Sequence, residues 1–285
     1  MIVYGPEGVG KTTFGAGLEN PIFIDCDEGS HRVDVARFPK PENLSSVYQC
    51  LDVLEKETHP YKTLVIDTLD ALEVLLWSHI CDRDQKENIE AYGYGKGYVT
   101  ASYEWKLLIE SLNQLRKKKN MHIVLLGHAT IKLFKDPAGM DHDKYELTLN
   151  KHAYPLFRFW SDILAFANYE TVITEDKNTE RLKVADTGRR MLHTQRERGF
   201  DAKSRYSLPK ALPFNSSDFI TLYTKAVNNS VTDLKEKIKL ALVSLPDNKR
   251  AEVEPKVLET IATSGNSAMV LEKCLTRLLE LGKGE

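Results

Sequence analysis

The chain has 285 residues, with 39 Lys and Arg against 41 Asp and Glu and a formal charge of −2. That length accommodates one substantial domain and a small appendage, large enough to bury about three quarters of the unfolded surface without a disulfide or metal staple. The near-neutral balance excludes a global nucleic-acid-binding charge signature, and the lack of any apolar run of about 18 residues gives no expectation of a membrane span.

Four well-separated cysteines, Cys26, Cys50, Cys81 and Cys274, form no CxxC pair and read as reduced thiols. The N-terminus enters a glycine-rich segment directly, with no basic and apolar leader. The expectation is a cytoplasmic protein with no membrane partner. Charge is uneven: from Arg181 to Lys210 there are nine basic residues and three acidic ones, which predicts a positive face.

In chain order, Ile2 to Tyr4 is a short strand, followed by a glycine loop and a helix from about Lys11 to Leu18. Pro21 to Asp25, Thr63 to Asp67 and His122 to Gly127 are apolar runs of buried-strand type. Between them, residues 42–57 and 98–119 repeat apolar positions every three or four residues, as amphipathic helices do. This alternation predicts a mainly parallel sheet flanked by helices. From about Ser161 shorter β segments follow, Ile163 to Phe166, Glu170 to Ile173 and Arg181 to Ala185, which predict an antiparallel extension. After Val227-Asn-Asn-Ser230 the composition shifts to three helical stretches, 233–245, 251–262 and 267–281. The predicted organisation is therefore a core over residues 1–226 and a small helical domain over 231–285.

The segment Gly5-Pro6-Glu7-Gly8-Val9-Gly10-Lys11-Thr12 fits G-x-x-x-x-G-K-[ST], between a predicted strand and a predicted helix. Glycines there let backbone N–H groups turn onto phosphates, and the helix N-terminus adds positive potential. Lys11 is expected to reach the β- and γ-phosphates of ATP, the Thr12 hydroxyl to ligate Mg2+, and Thr13 to extend the cradle. Asp67, ending an apolar strand, is the candidate carboxylate for the magnesium shell, and Asp70 is expected to be a helix N-cap. His128, Asp141, His142 and Asp143 lack ligand spacing and are not expected to hold a metal.

Several runs carry a resemblance. Phe23-Ile-Asp-Cys-Asp27, Leu64-Val-Ile-Asp-Thr-Leu-Asp-Ala-Leu72 and Val124-Leu-Leu-Gly-His128 resemble the water-activating, Walker B and sensor strands of RecA-like ATPases. Tyr94-Gly-Lys-Gly-Tyr98, Gly127-His-Ala129, the stretch from Lys132 to Pro137, Trp160-Ser-Asp162 and Ala202-Lys-Ser-Arg205 are similar to phage RecA-like nucleotide-binding proteins of single-strand annealing and recombination, over about residues 1–215. The resemblance implies a RecA-like P-loop core and a DNA- and oligomer-dependent ATPase. It implies Asp27 or Glu28 as water activator, His128 as γ-phosphate sensor, and Lys203 with Arg205 as cations reaching a neighbouring subunit's nucleotide. The chain departs from the family in carrying Asp27 where a glutamate is usual, His128 where RecA has glutamine, and Ser204 and Ser207 within the cation motif.

The same resemblance implies single-stranded DNA held by loops at about 82–98 and 130–149, through Tyr94, Lys96, Tyr98, Lys132, Phe134 and Lys135. Aromatic stacking and lysine neutralisation suit unpaired strands with little sequence preference. The partners implied are DNA and further copies of the chain in a ring or filament, in a host cytoplasm if the protein is phage-encoded. A single-strand-binding protein stays open as another partner. A P-loop small-molecule kinase and a non-catalytic nucleotide-switched module remain alternative readings.

Overall fold

The computed structural model describes all residues except 138, 177–180, 264–267 and 283–285. β1 (Ile2–Gly5) runs through the glycine loop into α1 (Lys11–Ala16), and β2 (Pro21–Asp25), β3 (Ala36–Arg37) and α2 (Leu44–Lys56) follow. Next come β4 (Thr63–Asp67), α3 (Leu69–Arg83), α4 (Lys96–Lys119), β5 (His122–Phe134), β6 (His142–Leu147) and α5 (Tyr154–Trp160). The remainder comprises β7 (Ile163–Asp176), β8 (Arg181–His193), β9 (Lys203–Ser204), β10 (Ala211–Pro213), α6 (Ser216–Val243), α7 (Asp247–Thr263) and α8 (Ala268–Gly282). Asn43 caps α2 by accepting the Ser46 N–H at 2.9 Å, and the Thr68 hydroxyl caps α3 by accepting the Ala71 N–H at 3.4 Å.

Among the described residues the strand order is β10-β8-β7-β1-β5-β4-β2-β3. All pairings from β7 to β3 are parallel, whereas β8 and β10 extend the sheet antiparallel beyond β7. The fold is α/β, a mostly parallel sheet flanked by helices. Strand alternation sends successive residues to opposite layers. Ile24, Ile66 and Leu125 share one core with Leu51 of α2, Leu72 of α3 and Trp105 of α4. On the other layer α1 lies close to the sheet, because a Cβ on Gly15 would sit 3.1 Å from both Phe23 and Val65.

The chain forms two compact units, residues 1–205 with 209–219, and residues 206–208 with 220–285. In the second, Val231, Ile238 and Leu242 of α6 cluster with Val257 of α7 and with Leu271 and Leu278 of α8.

Several expectations change. The stretch 130–149 is not a loop: β5 continues past Gly127, and Ala129 to Phe134 pair antiparallel with His142 to Leu147. Thr130-Ile-Lys-Leu-Phe134 supplies β-branched and aromatic residues that suit this pairing. Helices α3 and α4 shorten the other expected loop, leaving Lys96 and Tyr98 in the first turn of α4. The two segments expected at 163–173 are one strand with a bulge between Tyr169 and Thr171. The composition break at Val227–Ser230 lies inside α6, since neither Asn nor Ser has the steric cost that ends a helix at proline. Asp70 is not the cap of α3; Thr68, two residues earlier, is.

Candidate nucleotide-binding site

β1 delivers Gly5 to the carboxyl end of the parallel sheet, where the chain turns into α1. Gly5 has no room for a side chain: a Cβ would meet the Ala167 carbonyl oxygen at 2.2 Å. Gly10 has φ +101, a left-handed conformation suited to glycine, and precedes Lys11 as the helix N-cap. The Lys11 ammonium donates to the carbonyls of Gly5 at 3.1 Å and Pro6 at 3.0 Å, closing the loop. Burial pulls its pKa below the usual lysine value, against the opposing pull of Asp67, Asp70, Asp27 and Glu7. Val9 is buried, Glu7 and Gly8 are exposed, and Thr13 stands exposed in the first turn of α1.

Asp67 ends β4 beside Asp25, which ends β2. The Thr12 hydroxyl donates to Asp67 Oδ2 at 2.7 Å. Burial lifts the Asp67 carboxyl to about 6; the Thr12 bond and Lys11 oppose the shift, while Asp27 and Asp25 add to it. Asp25 is 4% exposed and accepts the Ser30 N–H at 2.9 Å and the Ser30 hydroxyl through Oδ2, while Oδ1 has no partner among the described residues. These groups fit a hard dication: a hydroxyl and a carboxylate already in contact, with crowded carboxylates beside them. Among the described residues no group of three or more His, Cys, Asp or Glu could hold an ion by itself.

The two candidate water activators diverge. Asp27 accepts the Gly29 N–H at 3.0 Å through Oδ1 and the Thr68 hydroxyl, next in sequence to Asp67, at 3.4 Å through Oδ2. Glu28 has φ 63 and pairs with Lys40 at 3.4 Å. His128 stands in register with Gly5 on the adjacent strand. Asp70 accepts its backbone N–H at 3.0 Å and lies 2.7 Å from its Nδ1.

A family model described as an AAA domain matches residues 1–206. The chain belongs to this AAA-domain family. It is a P-loop ATPase by class, and the matched region contains the phosphate loop, Asp67, His128, Lys203 and Arg205. Among solved structures the chain is similar to the RadB recombinase, at 13% identity over 71% of this chain and 89% of that one, with a TM-score of 0.36. No curated protein matches it. Among the described residues no helix is long and apolar enough to cross a membrane.

The remaining candidates lie apart from the phosphate loop. β9 pairs with the start of β7, Leu164 opposite Lys203, and Leu164 is in register with Ile2. Lys203 therefore sits at the opposite end of the sheet, about 10 Å of strand from Gly5. Its ammonium donates to the Phe159 carbonyl at 3.5 Å, and Arg205 binds the same carbonyl at 3.1 Å and Asp162 at 2.8 Å. On the β5–β6 hairpin Lys132 is 3.5 Å from Glu146, Lys135 is exposed, and the Phe134 ring carries the Lys144 ammonium 5.4 Å from its centroid. Tyr94 is fully exposed, whereas Tyr98 donates to Glu90 and packs edge-on against Trp77.

The sequence reading missed a second set of contacts to the phosphate loop. Tyr169 and Arg190, cross-strand partners in β7 and β8, donate to the carbonyls of Gly8 at 3.2 Å and Val9 at 3.3 Å. No motif marks them, because the pairing joins residues 21 positions apart to a loop far from both in sequence. The basic stretch that holds Arg190 is divided: Arg190 lies at the phosphate loop and Lys203 and Arg205 at the far end.

Proposed function

We propose that the protein binds Mg-ATP and couples its hydrolysis, at interfaces between copies of the chain, to single-stranded DNA in phage recombination or annealing. The observation that carries this reading is the separation of Lys203 and Arg205 from the chain's own phosphate loop, at opposite ends of one sheet. Cations so placed act on a nucleotide when a second subunit stacks its loop end against them. In that arrangement an Arg or Lys neutralises charge developing at the γ-phosphate.

Lys11 binds the β- and γ-phosphates, exchanging its two carbonyl partners for phosphate oxygens. Thr12 and Asp67 hold Mg2+, which when bound offsets phosphate charge and orients the triphosphate. Asp27, facing Thr68, positions the attacking water, and His128 contacts the γ-phosphate. The hairpin presents Lys132, Phe134 and Lys135 to an unpaired strand, with Tyr94 and Lys96 as a second contact.

Turnover of Mg-ATP measured against protein concentration, with and without an unstructured oligonucleotide, tests the reading. Specific activity rising with both variables supports it. A rate independent of both contradicts it and favours the kinase alternative.

A further inference from the structure

Beside the nucleotide site lies a carboxylate that this mechanism leaves unused. Asp70 is the second residue of α3, three residues beyond Asp67, and reaches across to β5. Its Oδ1 accepts the His128 backbone N–H at 3.0 Å while Oδ2 contacts Nδ1 at 2.7 Å. The His128 carbonyl accepts the Thr148 N–H at 2.8 Å, so the strand is also fixed from the β6 side. Among the described residues Nε2 of His128 has no hydrogen-bond partner in the chain.

We propose that Asp70 is a positioning residue for γ-phosphate reading: it pins the His128 ring through Nδ1 and leaves Nε2 as the ring nitrogen that donates to the phosphate. This rests on the reading of His128 as the γ-phosphate contact. The proton count makes Asp70 more than a tether. An ionised carboxylate accepts only, so Nδ1 must carry a proton, and Nε2 can donate as well only if the ring is an imidazolium. The carboxylate thus favours a cationic sensor over a neutral one, and a cation adds direct Coulomb attraction to the phosphate.

The surrounding charges agree. The Asp70 bond raises the His128 pKa above the ordinary imidazole value; burial and the Lys11 ammonium of α1 oppose this, and Asp27 after β2 supports it. Burial alone would raise the Asp70 carboxyl, but its bonds from His128 outweigh that and hold it below the usual carboxylate range. Each partner favours the charged form of the other.

Two measurements test the assignment. The first is the ring nitrogen spectrum of His128 in nucleotide-free protein across a pH series: the change from imidazolium to neutral shifts should fall at higher pH in wild type than in Asp70→Asn. The second is the affinity ratio of a non-hydrolysable ATP analogue to ADP. In wild type it should fall as pH rises through the His128 titration. In Asp70→Asn it should be lower, about tenfold at most, and its fall should move to lower pH. In His128→Gln it should be flat, and adding Asp70→Asn to that variant should change nothing further. A His128 titration that Asp70→Asn leaves unmoved overturns the proposal, as does an equal loss from Asp70→Asn in the wild-type and His128→Gln backgrounds. If His128→Gln leaves the wild-type ratio unchanged at every pH, the sensor reading itself fails, whatever the ring spectrum shows.

Discussion

The Thr12 hydroxyl and the Asp67 carboxylate meet at 2.7 Å across the mouth of the phosphate loop. Residues 55 positions apart in sequence are thereby joined at the carboxyl ends of β1 and β4, on the side where open α/β sheets bind ligands. Asp67→Asn keeps the shape and the acceptor oxygen for Thr12 but removes the charge proposed to bind Mg2+. Magnesium-dependent turnover should fall about 10- to 100-fold, while nucleotide binding in EDTA should survive. Titration of turnover with Mg2+ checks this, and an unaltered magnesium requirement would contradict it.

Gly10→Ala separates backbone strain from crowding. A Cβ there would lie 2.5 Å from the Arg190 guanidinium, the far end of a flexible side chain that can move aside at the cost of its 3.3 Å bond to the Val9 carbonyl. The φ of +101 remains, and an L-residue held in left-handed backbone costs about 1–2 kcal/mol. Thermal unfolding should show the variant destabilised to that extent, with no recovery on adding Arg190→Ala. Full recovery in the double variant would place the cost in the contact instead.

Glu73 ties α3 to the end of the hairpin by accepting the Asn150 N–H with both carboxylate oxygens, at 3.1 and 3.0 Å. Burial raises its pKa from 4.5 to about 7, with the Asn150 bond opposing. For an acid shifted upward, the folded state is favoured most below pH 4.5, loses stability as pH rises toward 7, and keeps that penalty above it. The linkage amounts to roughly 3 kcal/mol at most. Glu73→Gln should therefore raise the melting temperature more at pH 8 than at pH 5. A shift of the same size at both values would show that the Glu73 charge carries no penalty.

On the hairpin, Lys135 is exposed and Lys132 shares Glu146 with Lys144. Removing Lys135 should reduce the slope of log affinity against log salt for single-stranded DNA by about 0.7, the share of one phosphate contact. Phe134→Ala and Tyr94→Ala should each cost about 1–3 kcal/mol if one base stacks on each ring. Tyr98→Phe should change little, because that hydroxyl is engaged with Glu90. Fluorescence anisotropy across a salt series measures all four.

Features expressed locally were legible in the sequence. The bounds of β2 and β4 follow from short apolar runs closed by Asp25 and Asp67, and the phosphate loop from fixed spacing of glycine, lysine and threonine. What escaped depends on tertiary partners. The hairpin was hidden because His128 looked like a strand end, although Thr130-Ile-Lys-Leu-Phe134 and Tyr145-Glu-Leu-Thr-Leu149 alternate as paired strands do. Asp70 passed for a cap because Asp is a common cap, and only β5 beside α3 reveals its partner. Tyr169 and Arg190 carry no local signal, since a bulge in β7 and the β8 pairing bring them to the loop.

The central claim is that Lys11 and the glycine loop around it bind the triphosphate. Calorimetric titration of wild type and Lys11→Ala with a non-hydrolysable ATP analogue and Mg2+ tests it most directly. The ammonium now held by the carbonyls of Gly5 and Pro6 should transfer to phosphate, so its removal should weaken binding about 10- to 100-fold, the worth of a charged hydrogen bond. Unchanged affinity in a folded Lys11→Ala protein would contradict the account.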